Sequence, residues 1–197
     1  MKKLSFILLI LFLFSIAGCS FSQPSRFYRL SPSSPEDIQA LPPTSQNKTV
    51  SVGPVTIPVV LNRPQIATLS GKNAVIISEY NRWAGSLNDN LVRTLTDNLS
   101  TFLPSMTVVP FELGRRIDFS YQLVVDIQQF DGTLGKSITL KAGWIIIENN
   151  TKKPLIVKLS SINMDVQGNG YEDYVAAMSA TLGNFSLEIA QAISSLK

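Results

Sequence analysis

The chain has 197 residues, with 17 Lys plus Arg, 14 Asp plus Glu, no His and one Cys, for a formal net charge of +3. That length suits one domain of about 100–200 residues with a core large enough to stand without disulfides, and a single Cys forms none within the chain. The absence of His removes Ser-His-Asp and Cys-His pairs, the HExxH zinc site and any imidazole acid or base, and with them most common hydrolase mechanisms.

Lys2 and Lys3 precede a thirteen-residue stretch, Leu4 to Ile16, whose apolar character is interrupted only by Ser5 and Ser15. A basic start, a short apolar middle and the small pair Ala17-Gly18 form the layout of a secretory signal. A permanent span would need about 20 apolar residues. Ile16-Ala17-Gly18-Cys19 resembles the bacterial lipobox, which implies that residues 1–18 are a signal peptide and that Cys19 becomes the first mature residue. The resemblance also implies diacylglycerol and an acyl chain such as palmitate on Cys19. One chain anchors marginally, whereas two or three hold firmly. Ser20 stands where an Asp would signal retention in the inner membrane, implying sorting to the outer membrane of a two-membrane bacterium. Without Lys2 and Lys3, 15 basic side chains face 14 acidic ones, and only Arg115-Arg116 and Lys152-Lys153 are paired in sequence. Such a chain lacks the clustered cations of a nucleic-acid surface. With Cys19 lipidated, no thiol is left in the body for catalysis or metal binding.

Residues 19–48 are rich in Ser, Pro and Gln and read as a tether in which only Arg26 to Leu30 looks like a strand. At about 3 Å per residue, an extended Pro-rich segment would hold the body some tens of ångströms off the membrane. Residues 49–197 read as a single α+β domain with a mainly antiparallel sheet and two amphipathic helices packed against it. Val50, Val52, Val55 and Ile57 start a strand that Pro54, Pro58 and Pro64 confine to short or edge pieces. Ala67–Ser70 and Ala74–Ser78 form a hairpin about Gly71-Lys72-Asn73. Leu87, Leu91, Leu95, Leu99 and Phe102 mark one helical face, with Ser86 and Asp89 as its cap and Pro104 beyond its end. Three strands follow as a meander, Ser120–Phe130, Ile138–Glu148 and Pro154–Val166. In the last, Leu155, Val157 and Leu159 differ in parity from Ile162, Met164 and Val166, which predicts a bulge near Ser160-Ser161. After Gly168-Asn169-Gly170, the face Val175, Met178, Leu182, Phe185, Ile189 and Ile193 predicts a terminal helix.

The search for catalytic and metal-binding groups is negative. Asp126, Asp131, Glu148 and Asp165 lie on or beside strands without the spacing of a carboxylate pair, and solvated carboxylates account for them. Gly132, Gly135 and Gly143 do not make a phosphate-gripping loop. This points to a protein that binds or scaffolds, with no cofactor beyond the lipid on Cys19.

The run Val52-Gly53-Pro54-Val55-Thr56-Ile57-Pro58-Val59-Val60-Leu61-Asn62-Arg63-Pro64-Gln65-Ile66 and the later Glu79-Tyr80-Asn81-Arg82-Trp83-Ala84 resemble the PqiC family. These are auxiliary lipoproteins of ABC-type transport systems that contain MCE-domain proteins. The resemblance covers most of the mature chain, though Gly85-Ser86 replaces the acidic residue and Pro expected after Arg82-Trp83-Ala84. It implies a non-enzymatic lipoprotein on the outer membrane, facing the periplasm, that meets an MCE protein of an inner-membrane transport system in lipid transport and envelope integrity. Arg63, Pro64, Gln65, Arg82 and Trp83 are the candidate partner-binding residues. Arg63 with Pro58 and Pro64 either protects an edge-like strand or presents it; Trp83 is either an interface anchor or a cap on the core. The segment Trp144-Ile145-Ile146-Ile147 is apolar on both faces. It either packs between helices and a neighbouring subunit, as a homo-oligomer would require, or lines the acyl-chain cavity of a periplasmic lipid carrier. An enclosed apolar pocket of about 300 Å³ or more would favour the carrier.

Overall fold

A computed structural model describes residues 23–34 and 48–196; the signal, Cys19 and most of the Pro-rich gap lie outside them. In chain order the elements are β1 (Arg26–Tyr28), β2 (Thr49–Thr56), β3 (Gln65–Ser70), β4 (Ala74–Trp83), α1 (Leu87–Phe102), β5 (Thr107–Pro110), α2 (Phe111–Gly114), β6 (Tyr121–Thr133), β7 (Ser137–Glu148), β8 (Pro154–Asp165) and α3 (Tyr171–Ser194).

The domain is α+β, with one sheet ordered β5-β2-β6-β7-β8 and a second ordered β1-β4-β3. Both sheets are mixed rather than purely antiparallel, and the long hairpins keep the pairing mainly antiparallel, as expected. β1 with β4, β2 with β5 and β2 with β6 are parallel, while the hairpins β3-β4, β6-β7 and β7-β8 are antiparallel. Strands joined by tight turns must run antiparallel, but β2 and β6 are separated by a hairpin and α1, and local patterning carries no information on their direction. β5 and α2 were not foreseen, since four residues each are too few to show a period. They matter to the outer face: Ser51 is fully buried beneath Gly114, where a Cβ would meet its hydroxyl at 2.3 Å.

Both long helices form where the spacing places them. Ser86 Oγ accepts the Asp89 N–H at 3.3 Å, and Leu87, Leu91, Leu95, Leu99 and Phe102 are all buried. The Leu103 N–H closes α1 on the Leu99 carbonyl one residue before Pro104. At the start of α3 the Asp173 carboxylate accepts the Gly170 N–H at 3.0 Å. α1 packs on β2 and β5, α3 on β7 and β8, and the helices on each other. Beneath them lie Tyr121, Leu123, Val125 and Ile127 of β6 and Ile138, Leu140, Ala142, Trp144 and Ile146 of β7.

The bulge expected near Ser160-Ser161 is absent. β7 and β8 stay in register from Ser137↔Asp165 to Ile146↔Ile156, and the irregularity falls next to Pro154. Ser160 is buried and accepts the Trp144 Nε1–H at 2.8 Å, with Ile156, Ile162 and Met164 on the same side of the strand. One parity therefore faces inward throughout, and Leu155, Val157 and Leu159 face outward.

The segment before the domain is docked over more than its one strand. Leu30 is buried, the Ser31 N–H donates to Ser179 Oγ at 3.1 Å and the Ser33 N–H to Asn98 Oδ1 at 2.8 Å. Asn98, fully buried in α1, also donates to Ser186 Oγ of α3 at 3.1 Å. The chain is thus fixed to the body from Arg26 to Ser33.

Tyr174 ties α3 to both sheets. Its hydroxyl accepts the Gly132 N–H of β6 at 2.9 Å and donates to the Ala67 carbonyl of β3 at 3.3 Å. Burial pushes its phenol well above the ordinary tyrosine range, so it stays protonated. Tyr174→Phe strands the Gly132 donor and should cost about 1–3 kcal/mol, measured by denaturant unfolding. In the native chain the unfolded phenol ionises near pH 10 while the folded one keeps its proton. Stability should therefore fall as pH rises above about 10, and Tyr174→Phe should remove this residue's share of that slope.

Candidate docking surfaces

The five residues singled out by the sequence converge on one corner of the three-stranded sheet. Gln65 pairs with Arg82, the Trp83 N–H donates to the Pro64 carbonyl at 2.7 Å, and the Ala84 N–H to the Tyr28 carbonyl at 2.7 Å. β1 completes the corner by pairing Phe27 with Arg82 and Tyr28 with Trp83. Arg63 and Pro64 lie in a turn rather than on an edge-like strand: β2 ends at Thr56, and the Leu61 N–H folds back on the Pro58 carbonyl at 2.9 Å. The two prolines cannot donate to a ladder, so the chain turns between them. Leu61 plugs the core, whereas Val59 is 86% exposed. In β4 the register slips before Arg82. There Ser78 Oγ accepts the Asn81 backbone and side-chain N–H groups at 3.0 and 2.9 Å, and Asn81 Oδ1 accepts the Tyr28 hydroxyl at 3.1 Å.

Trp83 is only 4% exposed and belongs to the core. What the corner presents is cationic. Arg63 and Arg82 are half-buried, each with an enclosed Nε that has no hydrogen-bond partner, and neither is ion-paired among the described residues. Guanidinium groups stay charged at any physiological pH, so this corner is suited to carboxylates brought by another molecule.

A second surface was missed. Leu155, Val157 and Leu159 are 41%, 68% and 81% exposed along the edge strand β8. Val157 pairs with Ile145, and Ile145 in turn with Val124; both are half-buried on the same face. The helices occupy the opposite face, so this apolar row has no covering layer among the described residues. Its signal was the odd parity of Leu155, Val157 and Leu159, interpreted as a bulge instead of an outward face.

Trp144 and Ile146 point into the core while Ile145 and Ile147 face out. Open hollows occur elsewhere among the described residues. One of about 960 Å³ runs between the β1 segment and α3 past Arg26, Arg29 and Glu172. Another of about 560 Å³ lies by Pro54, Asp89, Arg93 and Glu112. Neither is lined by the Trp144–Ile147 segment. The four carboxylates occupy separate rungs of the sheet: Asp126 opposite Gly143, Asp131 opposite Thr139, Glu148 opposite Tyr121 and Asp165 opposite Ser137. Asp126 accepts the Thr56 hydroxyl at 2.5 Å and Glu148 the Thr151 hydroxyl at 2.7 Å. Among the described residues no helix is long and apolar enough to cross a membrane.

The chain is similar to the intermembrane transport lipoprotein PqiC of Escherichia coli K12, with 26% identity over 92% of this chain and 93% of that protein. PqiC of Shigella flexneri matches to the same extent. Among solved structures, an uncharacterised protein superposes with a TM-score of 0.72 at 20% identity, covering 87% of this chain and 99% of the other. Protein XCC0632 of Xanthomonas campestris superposes with a TM-score of 0.70 at 12% identity, covering 86% and 96%. Both share the fold. The family model described as ABC-type transport auxiliary lipoprotein component matches residues 28–190, and the chain belongs to that family.

Proposed function

We propose that the protein is a non-enzymatic outer-membrane lipoprotein subunit of an MCE-type ABC transport system, docking or capping a periplasm-spanning MCE protein in lipid transport. The observation that carries this reading is a pair of surfaces, the Arg63-Arg82 corner and the β8 row, that are uncovered among the described residues, on a chain whose family is a transport auxiliary lipoprotein. The lipid-carrier alternative has less support, because both hollows are open rather than enclosed.

The two surfaces suit different partners. A corner carrying two unpaired arginines repels a copy of itself but attracts acidic side chains, and it is assigned to the MCE protein. An uncharged apolar row complements itself, and it is assigned to contact between copies of this chain. Crosslinking in intact envelopes, with a photoreactive residue at Asn62, exposed beside Arg63, should recover an MCE protein. Recovery of none would sink the docking role.

Anchoring is assigned to Cys19. Cys19→Ala should abolish acylation and leave an uncleaved or mislocalised precursor, while Ser20→Asp should shift the protein toward the inner membrane. Radiolabelled lipid incorporation and density-gradient fractionation check these outcomes. Unchanged acylation in the first variant would remove the anchor, and an unshifted second variant would remove the outer-membrane assignment.

A further inference from the structure

The β3-β4 hairpin carries apolar side chains that neither the core nor the docking surfaces use. Val75, Ile76 and Ile77 are 44%, 50% and 37% exposed. Val75 and Ile77 share one face of the ribbon with Leu69 and Ala67, whereas Ile76 lies on the other, opposite Thr68. Side chains alternate across a strand, so exposure at three consecutive residues means that both faces of β4 are uncovered there, beside the buried Ala67 and Thr68 of β3. From Thr68 to Ser78 the only charged residue is Lys72, in the turn, and there is no acid. An apolar projection with one cation and no anion is suited to the boundary between headgroups and acyl chains.

The direction of β1 supplies an independent observation. β1 runs parallel to β4, with Arg26 opposite Asn81, so the chain enters β1 from the side of Ala74 and the turn. Cys19 stands seven positions before Arg26, and Ala74 seven positions before Asn81. At about 3.3 Å per residue each interval spans about 23 Å. The residue that bears the lipid can therefore reach the level of the hairpin tip and little beyond it. A bilayer holding that lipid lies within reach of Val75, Ile76 and Ile77.

We infer that the β3-β4 hairpin is a second membrane contact, inserting its tip into the leaflet that carries the lipid of Cys19 and fixing the orientation of the body against it. The inference rests on the anchored reading above. It replaces the picture of a body held loosely at a distance by its tether with one of two-point attachment.

The test uses the full chain, lipidated in cells and reconstituted into vesicles of phosphatidylethanolamine with a minority of phosphatidylglycerol. A fluorophore is attached at Ile76→Cys, with Thr151→Cys as the reference; the acylated Cys19 thiol does not react. Thr151 lies in the turn after β7, at the opposite end of that strand from Ile138, the partner of Gly132, and Tyr174 links Gly132 to β3. With acyl chains brominated close to the headgroup, emission from the Ile76 position should fall by about twofold or more, as expected for a side chain at the acyl boundary, and that from Thr151 should not change. Equal response at the two positions, or none at Ile76, in protein that still floats with the vesicles overturns the hairpin contact and leaves the anchor standing. Protein that does not float overturns the anchor and this proposal together. Unchanged thermal unfolding of both labelled variants shows that the fold is intact, and adding Lys72→Glu should weaken the quenching at Ile76.

Discussion

Trp83→Ala should cost about 3 to 5 kcal/mol of folding stability, the range for deleting a large aromatic from a core. Trp83 is 4% exposed at the end of β4, where β1 pairs beside it and its N–H holds the Pro64 carbonyl at 2.7 Å. The cavity would open beneath the corner formed by Arg63, Gln65 and Arg82. Partner recovery should then fall because folded protein is scarcer, with the affinity of the folded fraction nearly unchanged. Urea unfolding and partner binding, measured on the same unlipidated fragment, separate the two. A stable variant that binds more than about 2 kcal/mol more weakly would instead make Trp83 an interface anchor. The charged neighbour should behave in the opposite way. Arg63→Glu places an acid where an acidic partner is expected, and should disrupt recovery of the MCE protein at unchanged stability.

Much of this layout is legible in the sequence where the signal is local. The five apolar residues of α1, its Ser86 cap, the turn at Gly71-Lys72-Asn73 and the face of α3 each follow from spacing within a dozen or two residues, and each is where the period puts it. The ends of the two motifs that carry the family resemblance meet where Gln65 of β3 pairs with Arg82 of β4. Information that depends on distant pairing was not legible. Nothing near Val50 says that it will run parallel to Tyr121, 71 positions away. Asn98 reads as an ordinary polar residue of a helix, yet it is buried and bridges Ser33 and Ser186. The row on β8 failed for another reason: a rule that apolar residues point inward cannot recognise a strand whose outward face is itself apolar.

That outward row is where a surface substitution should have its largest effect. Val157→Lys combined with Leu159→Lys leaves stability within about 0.5 kcal/mol per site, since both side chains are well exposed and neither fills the core. On assembly the effect should be far greater. β8 is an edge strand with Ile145 and Val124 extending the apolar face behind it, and a contact built on that face must bring two copies of each new charge into a desolvated seam. Unpaired buried charge and like-charge repulsion together should weaken association by more than about 2 kcal/mol, roughly a thirtyfold change in the dissociation constant. Sedimentation velocity on the unlipidated fragment should show the native chain as a multimer and the double variant as a monomer. Arg63→Glu, at the other surface, should leave the multimer intact. A native fragment that sediments as a monomer at all concentrations would remove the self-contact and return the β8 face to the MCE partner, and in that case the double variant should lose the crosslink expected from Asn62 beside Arg63.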